Sequence, residues 1–220
     1  MASDDLLVLR QRPEWPHAVE QLRKLAAERG AQARSDARDY GQRYAGRRGA
    51  MVIDVVASRQ RRYTQRVLPL VQRWEHDHRP PTLRTLAERR PDAATYGLQP
   101  AETRTMQTIA QNLVQLAGRL QLDEEQTCRQ WADSVRGLEH AHTLDPVVGG
   151  VSGIGPALFA YLRMRCGADA LKPDRRVADA LRKLGFDVPG DGHSIMVVAR
   201  AAAHEIEFDL LALDQLLWWS

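Results

Sequence analysis

The amino-acid sequence predicts an all-α fold, on three observations. Apolar residues recur at helical spacing: Ile109, Leu113, Leu116 and Leu120; Trp131, Val135 and Leu138; Val177, Leu181 and Leu184. No stretch alternates apolar and polar residues between hairpin turns, so no sheet is expected. The breaks between the periodic stretches carry the residues that start and stop helices.

Taken in order, a long polar N-terminal helix should end at Gly46–Gly49. Pro69, inside "QRVLPLVQRW", should kink or restart the helix that carries it. "RPPT" at Arg79–Thr82 closes one helix, and Thr82 can cap the next. Gly97 and Pro100 mark another break, with Pro100 in a first helical turn. Asp123, followed by Glu124 and Glu125, is a strong helix start because acids complement the N-terminal dipole. "DVPGDGH" at Asp187–His193 reads as a loop. The last helix, "FDLLALDQLLWWS", is apolar on most sides, so Trp218 and Trp219 are expected in the core.

The totals bound the function. The chain has 220 residues, 44% hydrophobic and 27% charged, which suits a globular protein with a proper core. No apolar run approaches the roughly 20 residues of a membrane span, and "MASDDLLVLR" lacks the apolar stretch of a signal peptide. No membrane association is expected. Cys128 and Cys166 are too few for a disulfide framework, a four-thiolate zinc site or an iron–sulfur cluster, and they suit a reducing cytoplasm. The net charge is only +3, and three of the 31 basic residues are lysines, namely Lys24, Lys172 and Lys183. In "HDH" at His76–His78 and "EHAH" at Glu139–His142 the histidine pairs at i, i+2 do not share a helix face, and no further ligands stand nearby, so no metal site is expected.

One stretch carries a chemical signal. "VSGIGPALFAYLRMRC" sets Gly153 and Gly155 around Ile154, just before Pro156 and an amphipathic run. Two glycines allow a tight turn and a close backbone approach to a ligand. Pro156 opens the next helix with a preset φ. The amides of the turn and of the helix N-terminus can then face an anion together, a phosphate above all, while Ile154 anchors the turn. About twenty residues on, "LKPDRRVADALRKLGF" places Asp174 where a helix N-cap belongs.

Together these segments resemble the helix-hairpin-helix (HhH-GPD) DNA glycosylase superfamily, the endonuclease III-like enzymes, without the iron–sulfur cluster. The family's hairpin, Leu-Pro-Gly-Ile/Val-Gly, is matched by Val151-Ser152-Gly153-Ile154-Gly155, with Ser152 in place of the proline. Its catalytic aspartate opens a helix in a Val-Asp-x-x-Val pattern. Pro173-Asp174-Arg175-Arg176-Val177 matches that here, ending in Lys183-Leu184-Gly185. "MVIDVVASRQRRY" is similar to the family helix that ends in Leu-Ser-x-Gln, which puts Ser58, Arg59 and Gln60 against DNA. "RTLAERRPDAATYGL" resembles the segment that leads to the family's Gly-Leu turn, here Gly97-Leu98. The match runs in the family's order over roughly residues 50 to 186. The first hairpin helix, "LDPVVGG", departs from it, since Pro146, Gly149 and Gly150 oppose helix.

The resemblance implies two helical lobes with a cleft between them. A six-helix-barrel-like domain at 49–170 would contain the helix-hairpin-helix, and 1–48 with 171–220 would form the second lobe. It implies a monomer acting on double-stranded DNA in the cytoplasm, at the nucleoid. Asp174 would be the catalytic carboxylate of a base-excision glycosylase that hydrolyses the N-glycosidic bond of a flipped, damaged or mismatched base. Gly153, Ile154, Gly155, Gln60, Ser58 and Arg59 would meet the DNA. The family's lyase lysine falls on Ala157, so hydrolysis without strand cleavage is expected. No cofactor is required, although the hairpin carbonyls of relatives bind a monovalent cation. Tyr63, Trp131 and Tyr96 are candidates for a base pocket. The alternatives are a non-catalytic helix-hairpin-helix DNA-binding protein, and a helical interaction module in which Asp174 only caps.

Overall fold

The computed structural model describes residues 4–220. Among them there are helices and no strand, so the fold is all-α. The helices are α1 (Asp4–Arg10), α2 (Trp15–Tyr40), α3 (Arg48–Ala57), α4 (Leu68–Asp77), α5 (Leu83–Glu88) and α6 (Ala93–Tyr96). Then follow α7 (Pro100–Leu120), α8 (Glu124–Ser134), α9 (Pro156–Arg165), α10 (Arg175–Lys183), α11 (Gly192–Glu205) and α12 (Leu210–Leu216). No helix among the described residues is long and apolar enough to cross a membrane.

The chain divides into two compact units: Met1–Tyr40 with Asp169–Ser220, and Gly41–Ala168. The first crossing thus comes before Gly41 rather than at 49. The reason is Arg48, whose buried guanidinium donates to the carbonyls of Gly41 (3.3 Å) and Arg165 (2.9 Å) and to Glu125. These bonds tie residues 41–48 into the second unit.

In the 1–40/169–220 unit, α12 packs along α2. The core is built from Trp15, Leu22, Val177, Leu181, Phe186, Ile195, Leu213 and Leu216. Trp15 meets Phe186 edge-on, with ring centroids 4.9 Å apart. Val177, Ala178 and Leu181 bury one face of α10, while Arg175 and Arg182 stay outside. Asp191 caps α11 by accepting from Ser194 N at 2.8 Å.

The expectation for the C-terminus is corrected. Helix α12 stops at Leu216, and Leu217–Trp219 is a 3₁₀ turn. A 3₁₀ turn advances about 120° per residue instead of 100°. Leu217 stays buried, but Trp218 and Trp219 turn outward, 61% and 48% exposed.

In the 41–168 unit, α3 is buried along its whole length and packs against α4, α5, α7 and α9. Helix starts follow the caps. Thr82 accepts from Thr85 N (3.1 Å), Asp92 from Thr95 N (2.8 Å) and Asp123 from Gln126 N (2.8 Å). Pro69 sits in the first turn of α4, just after a π-helical turn at Tyr63–Val67, so it restarts the helix rather than bending it. The pattern Trp131, Val135, Leu138 does not continue as one helix: α8 ends at Ser134, and Leu138 lies in a separate 3₁₀ turn.

Candidate nucleic-acid interface

The first turns of α7 gather the segments expected to meet DNA. Glu102 receives a two-pronged ion pair from Arg61, at 2.6 and 2.7 Å, and its Oε2 also accepts from Gln99 N at 2.8 Å. The Arg61 pair pins the turn that follows α3. Three residues on, and so on a neighbouring part of the same helix face, Thr105 Oγ1 donates to the Ser152 carbonyl at 2.7 Å and pins the glycine turn. Ser58, Arg59 and Gln60 are thereby held at the same end of the unit as Gly153, Ile154 and Gly155.

Within the first turn, Ser58 Oγ donates back to the Val55 carbonyl at 2.7 Å and closes α3. Gln60 has φ +55°, a left-handed conformation that throws its side chain off the helix path. Arg59 and Gln60 are exposed, as is Arg104 between the two α7 anchors. Exposed arginines beside a half-open backbone turn suit a phosphate chain.

Gly153 has φ +91°, and a Cβ there would lie 3.0 Å from Thr105 Oγ1. Both the conformation and the contact therefore select glycine. Ile154 is buried and Gly155 precedes α9 with extended backbone. No side chain caps the N-terminus of α9, unlike the starts of α5, α6, α8, α10 and α11.

Residues 145–150 form a turn, not a helix. Asp145 is the cause: its buried carboxylate accepts from the amides of Val147 (3.1 Å), Val148 (2.9 Å) and Gly149 (2.9 Å). A side chain that takes up successive amides offers the backbone an alternative to helix.

The aromatic candidates separate. Trp131 is a core residue, 2% exposed. Its indole N–H donates to Asp145 at 3.2 Å and its ring meets Phe159 edge-on, so neither face is open to a base. Tyr96 is half-buried and donates to Asp77 Oδ2 at 2.8 Å; burial and that carboxylate push its hydroxyl up to about 12. Tyr63 is half-buried at the π-helical turn, with the Arg43 guanidinium 5.9 Å above its ring.

Asp174 belongs to the 1–40/169–220 unit. It is the N-cap of α10: Oδ1 accepts from Val177 N at 3.1 Å. Oδ2 pairs with Lys172 Nζ at 3.3 Å, and the side chain keeps 25% of its surface open to solvent. Beneath it, fully buried Asp214 accepts from Lys172 N (3.4 Å) and pairs with Arg176 (3.2 Å). Burial, and secondarily the charge of Asp174, push Asp214 up to about 6.

Sequence reading missed a buried polar cluster in the 41–168 unit. Tyr161 Oη donates to Asp54 Oδ2 at 3.0 Å and accepts from Arg165 Nη2 at 2.9 Å, while Arg165 Nε lies 3.3 Å from the same carboxylate oxygen. The Arg165 guanidinium sits 5.5 Å from the Tyr44 ring and 5.1 Å from that of Tyr161. Burial and then Asp54 raise the Tyr44 and Tyr63 hydroxyls above their usual range. The available signal was a lone acid inside the apolar run Met51–Ala57.

Among the described residues, no three His, Cys, Asp or Glu side chains converge as metal ligands. Comparisons of the chain with protein-family models, with curated proteins and with solved structures return no match.

Proposed function

We propose that this chain is a monofunctional base-excision DNA glycosylase of helix-hairpin-helix type, acting as a monomer on double-stranded DNA. The observation that carries the proposal is Asp174: a carboxylate fixed by its own helix cap and paired through its second oxygen with Lys172, with a quarter of its side-chain surface open to solvent. An extruded damaged or mismatched nucleotide is the substrate. The C1′–N bond breaks, its electron pair leaves with the base, and positive charge develops on the sugar. Asp174 stabilises that charge; water then adds to C1′, its proton passing to the Asp174 carboxylate and from there to the departed base, which leaves an abasic sugar and the free neutral base. The amides at Gly153 and Gly155 hold a backbone phosphate, hairpin carbonyls offer a monovalent-cation site, and Gln60 occupies the space the nucleotide leaves.

A second reading is favoured by one observation. The segment before Gly153 is an Asp145-centred turn, not the first helix of a hairpin. A DNA-binding protein without glycosylase activity fits that departure.

One experiment separates the two. A panel of single-lesion duplexes is incubated with the protein and then cleaved with hot alkali. Lesion-dependent nicks that vanish in Asp174→Asn support the enzyme. Duplex binding that weakens steeply with salt, about 0.9 log unit per log unit for each phosphate contacted, with no nick on any lesion, leaves the binding protein.

A further inference from the structure

Asp214 lies inside the 1–40/169–220 unit, 1% exposed, on the apolar helix α12. A carboxylate buried there is costly unless its partners offset the lost hydration. Those partners converge on one short stretch of chain. Oδ1 accepts from Lys172 N at 3.4 Å, and Oδ2 meets Arg176 Nη2 at 3.2 Å. Lys172 and Arg176 stand two residues before and two residues after Asp174. Gln215 Nε2 donates to the same Oδ2 at 3.2 Å and steadies it from its own helix. The buried carboxylate thus clasps both flanks of the candidate residue, whose Oδ2 pairs with Lys172 Nζ at 3.3 Å.

The surrounding charges make this clasp sensitive to protonation. Lys172 and Arg176 carry two positive charges, and Asp174 and Asp214 balance them when both are ionised. Protonation of Asp214 leaves one positive charge in excess beside Asp174. The neighbouring elements do not offset it. The faces that α2 and α11 bury are apolar, with Ala18 and Leu22 on one and Val198 and Ala202 on the other. On α10, Arg175 and Arg182 point outward and pair with Asp179, at 3.4 and 3.0 Å. At the C-terminal turn, the Trp218 ring lies against Arg176, and Lys183 Nζ reaches the Ser220 carbonyl. Burial, opposed by Arg176 and the Lys172 amide and reinforced by Asp174, pushes Asp214 up to about 6. A sugar that becomes cationic is disfavoured beside excess positive charge and favoured once that excess is removed.

We infer that Asp214 is a positioning residue for Asp174: when ionised, it holds the chain on both sides of that carboxylate and cancels the excess positive charge around it. The inference rests on the glycosylase reading above and adds a pH control to the same site.

The test has one arm without DNA and one with it. In the first, the full chain is labelled with carbon-13 at the aspartate carboxyl carbons and titrated by NMR; Asp174→Asn identifies the Asp174 signal. In wild type that signal should show a step near pH 6, besides the one from its own ionisation. The step should vanish in Asp214→Asn. It should move to higher pH in Arg176→Gln, which removes the countercharge. Circular dichroism and a thermal melt show that each variant is folded. In the second arm, single-turnover excision by wild type should fall up to about tenfold from pH 7 to pH 5, as expected for loss of one controlling ionisation. Asp214→Asn should be slower than wild type at pH 7 and flat between the two. A wild-type Asp174 signal without the step, a step that persists in Asp214→Asn, or one that stays in place in Arg176→Gln overturns the inference. So does excision whose pH profile is the same in Asp214→Asn and wild type. Excision of a lesion without the step leaves the glycosylase and removes the role of Asp214. A step that depends on Asp214, with no lesion excised at any pH, keeps the coupling and removes the glycosylase.

Discussion

Lys172 and Asp174 form an ion pair across a single proline, with Nζ 3.3 Å from Oδ2. The other oxygen of the same carboxylate closes the first turn of α10. Asp174→Asn can still cap a helix, so its stability should stay within about 1 kcal/mol of wild type while excision is lost. Asp174→Ala should lose excision and in addition about 1 kcal/mol of stability, read from urea midpoints. Lys172→Met should leave excision measurable, and borohydride should trap no protein–DNA adduct in wild type. A trapped adduct that disappears in Lys172→Met would falsify the hydrolytic mechanism, because it makes that lysine the nucleophile.

The two glycines of the turn should behave differently. Gly153→Ala places a Cβ in a left-handed backbone, 3.0 Å from Thr105 Oγ1, and should cost about 1–2 kcal/mol. Gly155→Ala meets nothing within 4 Å. Its stability should change by less than about 0.5 kcal/mol, yet duplex affinity should fall several-fold if a phosphate approaches that backbone. Equal duplex affinity in Gly155→Ala and wild type would remove the phosphate role.

The buried Asp54–Tyr161–Arg165 cluster should dominate the stability of the 41–168 unit. Asp54→Ala takes the carboxylate from a buried guanidinium and should cost about 3–5 kcal/mol. Tyr161→Phe removes one hydrogen-bonding hydroxyl and should cost about 1–2 kcal/mol. The double variant should cost less than the two singles together, because both act on one network. Additive losses in urea unfolding would show that the cluster is not coupled.

Asp214 predicts a pH dependence of stability. Its folded value is pushed up to about 6, from 3.8, by burial and by Asp174, against the pull of Arg176 and Lys172. The folded chain therefore holds this proton to higher pH than the unfolded chain. Stability must fall as pH rises from about 4 to about 6, by an amount on the order of 3 kcal/mol. Asp214→Asn cannot titrate, so the difference between its urea midpoint and that of wild type should widen in its favour across that window. Parallel curves from pH 4 to 7 would contradict the assignment.

Much of the helical layout was legible because it is local. Thr82, Asp123 and Asp174 satisfy amides within their own first turns, whatever the rest of the chain does. The glycine turn was legible for the same reason, since a positive φ at Gly153 is a property of one residue. The Trp218 and Trp219 placement was not. Their pattern suits a continued α-helix, and only the change to a 3₁₀ turn rotates them outward. Trp131 could not be told from a pocket residue, because its indole partner, Asp145, lies 14 positions away.

The sequence by itself determined the helical class, most helix starts and the capping position of Asp174, since each follows from short-range backbone hydrogen bonding and apolar periodicity. Tertiary structure alone decided that Glu102 and Thr105 hold two distant turns at one end of the 41–168 unit, that Asp54 shares a buried network with Arg165, and that Asp214 lies sealed beneath Lys172 and Asp174. Those arrangements depend on which side chains meet across 40 or more positions of chain. Burial and ion pairing set their energies, and neither exists until the chain is packed.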